Sequence, residues 1–151
     1  MDTKFPVKIK VTLQPVFHND PPKVRITFGN VSELYDLTEK KFFHFFGISD
    51  TLKIEFLNKK NEDTIPNLGL DKAVIIENIS FYGISHNKFI WAGKYMPNYP
   101  EPWYSEQNPK PPVILENTTY LGWNGVWELN FTRPIFTWIH KLLDLGWIHH
   151  E

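Results

Sequence analysis

The sequence contains no cysteine. That removes disulfide frameworks, thiolate metal sites and cysteine nucleophiles together, and it fits a chain made in a reducing compartment. Neither sign of charge is in excess. Lys and Arg number 16 against 17 Asp and Glu, a formal net charge of −1. Such a balance gives no electrostatic reason to expect nucleic acid or an anionic membrane as partner. No hydrophobic run approaches the roughly 20 residues of a membrane-spanning helix. The opening MDTKFPVKIKVTL threads charges through its apolar positions, where a secretory signal would have an unbroken apolar stretch. A cytoplasmic site of synthesis is therefore expected, with lysis or another non-classical route for any exit. The four Asn-x-Ser/Thr sequons, at Asn30, Asn78, Asn117 and Asn130, then read as chance products of an Asn- and Thr-rich chain.

Catalytic signatures are missing as well. The six histidines show no His-Glu-x-x-His spacing, and neither Gly-x-Ser-x-Gly nor a phosphate-cradling glycine loop occurs. Paired carboxylates such as Glu62-Asp63 are the groups that glycoside hydrolysis uses, but a domain of this size rarely houses such a cleft. The expectation is a protein that binds and does not catalyse.

What the chain does have is apolar and aromatic content, 42% and 16%, enough to bury one core in a single domain spanning residues 1–151. Its first signal is period-2 alternation: Val7, Ile9, Val11 and Leu13 against Lys8, Lys10, Thr12 and Gln14. Asn19-Asp20-Pro21-Pro22 breaks that strand, and Val24, Ile26 and Phe28 resume it up to Gly29-Asn30. The two are expected to form a hairpin with a long loop. Leu34 to Leu37 reads as a short edge strand. Phe42, Phe43, Phe45 and Phe46 then read as a strand or turn plugging one end of a sandwich.

Thr51 to Ile84 organises the rest. Leu52, Ile54 and Phe56 alternate with Lys53 and Glu55; Asn58 to Asp71 is polar; Ala73 to Phe81 turns β-rich again and Gly83 ends it. This predicts two neighbouring strands joined by a loop that faces water. Between residues 88 and 112, prolines 97, 100, 102, 109, 111 and 112 interleave with aromatics, which predicts one long ordered loop without helix or central strand. Leu121, Trp123, Gly125, Trp127, Leu129 and Phe131 share one parity. Either they form a single strand with a bulge or kink, or Asn124-Gly125 is a type I′ turn between two short strands. Thr132 as cap, Pro134 in the first turn and Gly146 at the exit predict a helix over 134–145, with Ile135, Trp138, Ile139, Leu142 and Leu145 on one face. Trp127 and Trp138 are assigned to packing. About seven or eight short strands plus one terminal helix give an all-β fold, an antiparallel β-sandwich of jelly-roll type with one C-terminal α-helix.

A family resemblance attaches to the organising stretch. Ile54-Glu55-Phe56-Leu57-Asn58, a loop, then Asp71 to Gly83 is similar to calcium-dependent xylan-binding carbohydrate-binding modules. In those β-sandwiches a strand ending in Phe-x-Asn-Asp is followed by a loop and Asp-Arg-Asn-Leu. The match keeps Phe56, Asn58, Asp71, Val74, Ile76, Ile79, Phe81 and Gly83 over about residues 7–84. It departs at Lys59, in place of the aspartate of the Asn-Asp pair, and at Lys72-Ala73, in place of Arg-Asn. The resemblance implies polysaccharide or surface-glycan binding, and calcium as cofactor with Asn58, Glu62, Asp63 and Asp71 as oxygen donors. The segment TYLGWNGVWELNFTRPIFTWIHKLLDLGW is similar in texture to uncharacterised proteins of marine bacteriophages, which implies the alternative of a structural or assembly protein in a virus or phage particle.

Sugars stack their C–H faces on tryptophan and tyrosine rings beside amides and carboxylates. Trp91, Tyr95, Trp103, Tyr104 and Trp123 are the candidate carbohydrate contacts on that ground, with Asn98, Glu101, Glu106, Gln107 and Asn108 nearby. For any single ring, packing is the plainer assignment. The expected partner is a glycan or a protein, with neither nucleic acid nor membrane, and self-association or virion assembly belongs to the second reading.

Overall fold

The computed structural model describes residues 5–144. The chain opens with strands β1 (Val7–Val16), β2 (Lys23–Phe28), β3 (Val31–Asp36), β4 (Lys41–Gly47), β5 (Thr51–Phe56), β6 (Ala73–Phe81) and β7 (Ile84–Ser85). Helix α1 (Asn87–Trp91), strand β8 (Lys94–Pro97) and helix α2 (Trp103–Glu106) follow. Strands β9 (Leu115–Glu116), β10 (Tyr120–Leu121) and β11 (Gly125–Asn130) and helix α3 (Ile135–Leu142) complete it.

The strands make two antiparallel sheets. One has the order β10-β6-β1-β4, with β7 also on β6; the other is β3-β2-β5-β11-β8-β9. Inward side chains from both meet in one core, where Phe28 stacks on Phe45 at 5.6 Å, Tyr35 meets Phe43 edge-on at 5.6 Å, and Phe81 meets Phe131 at 5.6 Å. The fold is the expected all-β sandwich. Alternation read from sequence places the same residues inside: Val7, Ile9, Val11, Val24, Ile26, Phe28, Leu52, Ile54 and Phe56 are all buried. Burying a side chain of this kind is worth about 1.5–3 kcal/mol, so the two inner faces supply most of the driving force.

Connectivity differs from expectation at three places. First, β1 and β2 are not a hairpin: β1 pairs with β4 and β6, while β2 pairs with β3 through the two-residue turn Gly29-Asn30 and with β5. Gly29 has φ +62°, which a side chain would oppose. Second, β5 and β6 do not neighbour each other. They lie in opposite sheets, so residues 57–72 form a crossover between layers and not a loop within one. Third, Asn124-Gly125 is neither a hairpin turn nor the kink of a continuous strand. β10 belongs to one sheet and β11 to the other, and the chain changes layer through Gly122–Asn124.

Other departures are local. In β6 the register slips between Thr12↔Asn78 and Leu13↔Ile76, leaving Glu77 as an extra residue, and the inward parity moves from Val74 and Ile76 to Ile79 and Phe81. The proline-rich stretch is not one loop. Its prolines all stand at or after Pro97, so residues 87–96 are free to form α1 and then β8, which pairs with β11 and β9. The terminal helix covers Ile135–Leu142, with Ile135 and Ile139 buried and Trp138 and Leu142 against the core. Pro134 and not Thr132 precedes it as cap, without a side-chain cap bond, and Leu145 and Gly146 lie outside the described residues.

Strand β8 reaches the core only because Gly93 has no side chain. Trp127 is fully buried against it, and a Cβ at Gly93 would lie 2.0 Å from Cζ2 of that indole. Gly93→Ala is therefore expected to lower stability by about 1–3 kcal/mol or more, read as a lower urea midpoint at unchanged m-value.

Candidate functional site

Two layer changes, 57–72 and 122–124, meet at one end of the sandwich, and Lys59 ties them. Its peptide N–H donates to Asn124 Oδ1 at 2.7 Å, while Asn124 Nδ2 donates to the Lys59 carbonyl at 3.0 Å. Its ammonium donates to Asp71 Oδ1 at 2.7 Å and to the carbonyls of Lys72 and Gly122 at 2.9 and 2.7 Å. Three donors find three oxygens, which is the full capacity of a lysine head. Asp71 is also held by the hydroxyls of Thr64 at 2.7 Å and Tyr120 at 2.5 Å.

A second clasp lies behind it. Lys72 is fully buried, and its ammonium reaches Asp20 at 2.9 Å and Asp63 at 3.2 Å. Asp63, 1% exposed, accepts from the Lys60 amide at 2.8 Å and Asn19 Nδ2 at 2.7 Å, and its carbonyl takes His18 Nε2 at 2.8 Å. Burial pushes the Asp63 carboxyl up, yet the hydrogen bonds of Asn19, Lys60 and Lys72 with the Lys72 charge outweigh it and hold the group below the usual carboxylate range. Asp71 behaves alike: burial raises it, and Lys59, Tyr120 and Thr64 bring it below. Burial disfavours the Lys72 ammonium, but Asp20 and Asp63 raise its pKa above the ordinary lysine value.

These contacts bear on the calcium assignment that the resemblance implies. Asn58 is turned to the Lys23 amide (2.7 Å) and the Pro21 carbonyl (3.0 Å), Glu62 is exposed, and Asp63 and Asp71 face different ammonium groups. The four do not converge, and among the described residues no three His, Asp or Glu side chains group so as to hold a metal ion. A dication needs six to eight oxygens, and here the carboxylates answer lysine heads. The donor set does not fit calcium. Nor does the loop simply face water, because Asp63 and Lys72 are interior.

Above the Lys59 clasp opens a cleft of about 450 Å³. Trp103, from α2, and Trp123 form its aromatic wall, with ring centroids 4.8 Å apart and planes 36° apart. Lys59, Asn61, Asn98, Asn124 and Glu106 supply polar groups around them. Tyr99 props both indoles, edge-on to Trp123 at 5.6 Å and tilted to Trp103 at 5.6 Å. The Lys59 ammonium also sits 5.9 Å from the Trp123 ring, a cation–π contact from below.

Of the aromatic candidates, Trp103 and Trp123 line this cleft. Tyr104 does not line it: it stacks flat on Tyr99 at 5.7 Å, with Lys110 above its own ring. Tyr95 is corrected outright. It is 1% exposed, and its hydroxyl exchanges hydrogen bonds with the Trp123 backbone, so it positions Trp123 and offers no face to a ligand. Burial raises its pKa far above the ordinary phenol value. Trp91 is exposed on α1, away from the cleft lining. Sequence reading missed Asn124, Asn61 and Lys59 as site residues. The signal was the Asn-Gly dipeptide, whose asparagine is here used by its side chain.

No family model matches the sequence, and no curated protein matches it significantly. Two solved structures are similar in fold. One, titled "vCBM60 in complex with galactobiose", is 14% identical with a TM-score of 0.48, covering 82% of this chain and 97% of its own. The other is a selenomethionine form of vCBM60, 13% identical, TM-score 0.48, covering 82% and 90%. Its title speaks of an evolutionary link by circular permutation between two families of calcium-dependent carbohydrate-binding modules.

The clasps set a pH dependence. Asp63 and Asp71 have folded pKa values below the ordinary 3.8, so their contribution is complete above that value and is lost as pH falls through the depressed folded values. Unfolding free energy is expected to be level at mildly acidic pH and to drop below about pH 4. Lys72→Met strands a buried carboxylate and is expected to cost about 3–5 kcal/mol at neutral pH. The gap from the parent should narrow as acid neutralises Asp63, which urea titrations at several pH values would read.

Proposed function

We propose that the Trp103–Trp123 cleft binds a saccharide, and that the protein is a non-catalytic carbohydrate-binding β-sandwich. The observation that carries this is the indole pair itself. Two tryptophan rings are held at the mouth of an open cleft by Tyr99, Tyr95 and Lys59, and side-chain amides and a carboxylate stand around them. Fully packed indoles would need no such cleft. Pyranose C–H faces stack on the rings, while Asn61, Asn98, Asn124 and Glu106 answer the equatorial hydroxyls. Hydrolysis is not part of this reading. A glycosidase needs two carboxyl groups across the scissile bond, and among the described residues Glu106 is the one carboxylate lining the cleft.

Calcium is not part of it either. The position that the resemblance gives to an acid is Lys59, and its head supplies the charge that Asp71 and the two carbonyls require.

A glycan array followed by affinity electrophoresis on soluble xylans and galactans tests the proposal. Retention by at least one polysaccharide is expected, with quenching or a blue shift of tryptophan fluorescence. Trp103→Ala should weaken it roughly ten- to thirtyfold. A chelator should leave both retention and thermal midpoint unchanged. No retention on any glycan, or retention indifferent to Trp103→Ala, would sink the assignment; loss of retention in chelator would overturn its metal-free form.

A further inference from the structure

Strand β4 ends its sheet, and among the described residues nothing pairs with its outer side. The direction of its free hydrogen-bonding groups follows from one bond. The Lys8 carbonyl accepts from the Tyr82 amide at 3.0 Å, on the β6 side of β1. A strand residue sends its N–H and C=O to one side and the next residue sends them to the other. Val7, Ile9 and Val11 therefore bond their β4 partners Gly47, Phe45 and Phe43. Phe42, His44 and Phe46 point their amides and carbonyls away, to the open edge.

Those residues belong to a palindrome, Phe42-Phe43-His44-Phe45-Phe46. An antiparallel copy placed about a two-fold axis at His44 sets His44 opposite His44 and Phe42 opposite Phe46 of the other copy. Outward groups meet outward groups throughout, so each can be satisfied. The side chains agree. Phe42 and Phe46 are 48% and 67% exposed on the outer face and would form two cross-strand aromatic pairs. Lys41 would face Gly47, so no fixed like charges oppose each other.

Natural edges are usually blunted by Lys, Pro, a bulge or shortness. Edges β9 and β10 have two residues each, and β3 carries Glu33 and Asp36 with no cation. Residues 42–46 of β4 carry none of these devices. We infer that β4 docks a second copy of this chain, edge to edge about a two-fold axis at His44, joining two sheets into one.

Sedimentation equilibrium of the full chain from micromolar to submillimolar concentration tests this, with near-ultraviolet circular dichroism as the check on folding. A reversible dimer is expected. F42K/F46K brings lysines opposite each other in both pairs and should raise the dimer dissociation constant at least about tenfold. F42K/F46E sets the introduced ammonium of one copy opposite the introduced carboxylate of the other and should restore most of the association. His44→Pro removes an amide that faces outward, sparing the β1 ladder, and should give a folded monomer. A parent that stays monomeric throughout overturns the proposal. So does a folded F42K/F46K variant that still dimerises, or an F42K/F46E variant whose association is as weak as that of F42K/F46K. Trp103→Ala should dimerise as the parent does, which keeps this result separate from that of the cleft.

Discussion

The ammonium of Lys59 is the point on which the cleft end of the molecule depends. Two segments that change layer would otherwise meet with the Gly122 and Lys72 carbonyls unanswered and the Asp71 carboxylate without a counter-charge. Desolvating a lysine head costs several kcal/mol, and the cost is offset only when all three donors are answered and a carboxylate is among the partners. That condition is met here. Because the bonds run to backbone carbonyls on both segments, the same head that neutralises Asp71 also fixes where residue 122 lies. Trp123 is its neighbour in the chain. A change at Lys59 thus acts on the position of an indole it does not bond.

Sandwiches keep their rigid parts in the sheets and their chemistry in the connections. In this chain the connections at the cleft end are held from three directions. Tyr95 reaches out of β8 to grip the Trp123 backbone, Asn124 closes a two-bond amide pair with Lys59, and Tyr99 packs against both indoles. Each is a short-range contact from a strand or strand end, so the aromatic wall inherits the stiffness of the core. A preorganised stacking platform loses little entropy when a ligand arrives, which would matter for the sugar proposed above.

Much of the layer structure was legible in the sequence, and the reason is burial. Period-2 alternation reports which face of a strand is covered, and that holds for Val7–Leu13, Val24–Phe28 and Leu52–Phe56 whichever strand lies beside them. Partners were not legible. Alternation is the same for a hairpin and for a strand that leaves to the opposite sheet, so β1 with β2 and β5 with β6 were paired wrongly. The slip at Glu77 was hidden too, because a bulge changes parity without changing composition. Proline density carried the loop reading too far upstream, over residues that contain none. At the cleft, Trp103 and Trp123 were among the candidates because aromatics interleaved with amides are a compositional signal. Tyr95 shares that composition, and only its place on an inner strand separates it from them. Lys59 and Lys72 stood out as departures from a family pattern, but sequence gives no sign that they carry the charge inside.

The two surfaces of the molecule also stand in a definite relation. β4 ends one sheet at the side where β3 and β2 end or nearly end the other, as Tyr35–Phe43 and Phe28–Phe45 show. The cleft is built at the far side, from segments next to β8, β10 and β11. Joining two copies through β4 leaves both clefts open at opposite ends of one continuous sheet. Shallow, open sugar sites bind weakly one at a time, because few ring faces are covered and water competes for every hydroxyl. A polymer or a glycan-bearing surface presents many such units, so the second contact of a two-site particle becomes an intramolecular event governed by effective concentration. On the two proposals together, an edge that pairs copies and a cleft that takes one sugar unit would be complementary parts of one binding strategy. The span between the two clefts, fixed by the width of the joined sheets, would select extended chains or dense surfaces over short free sugars.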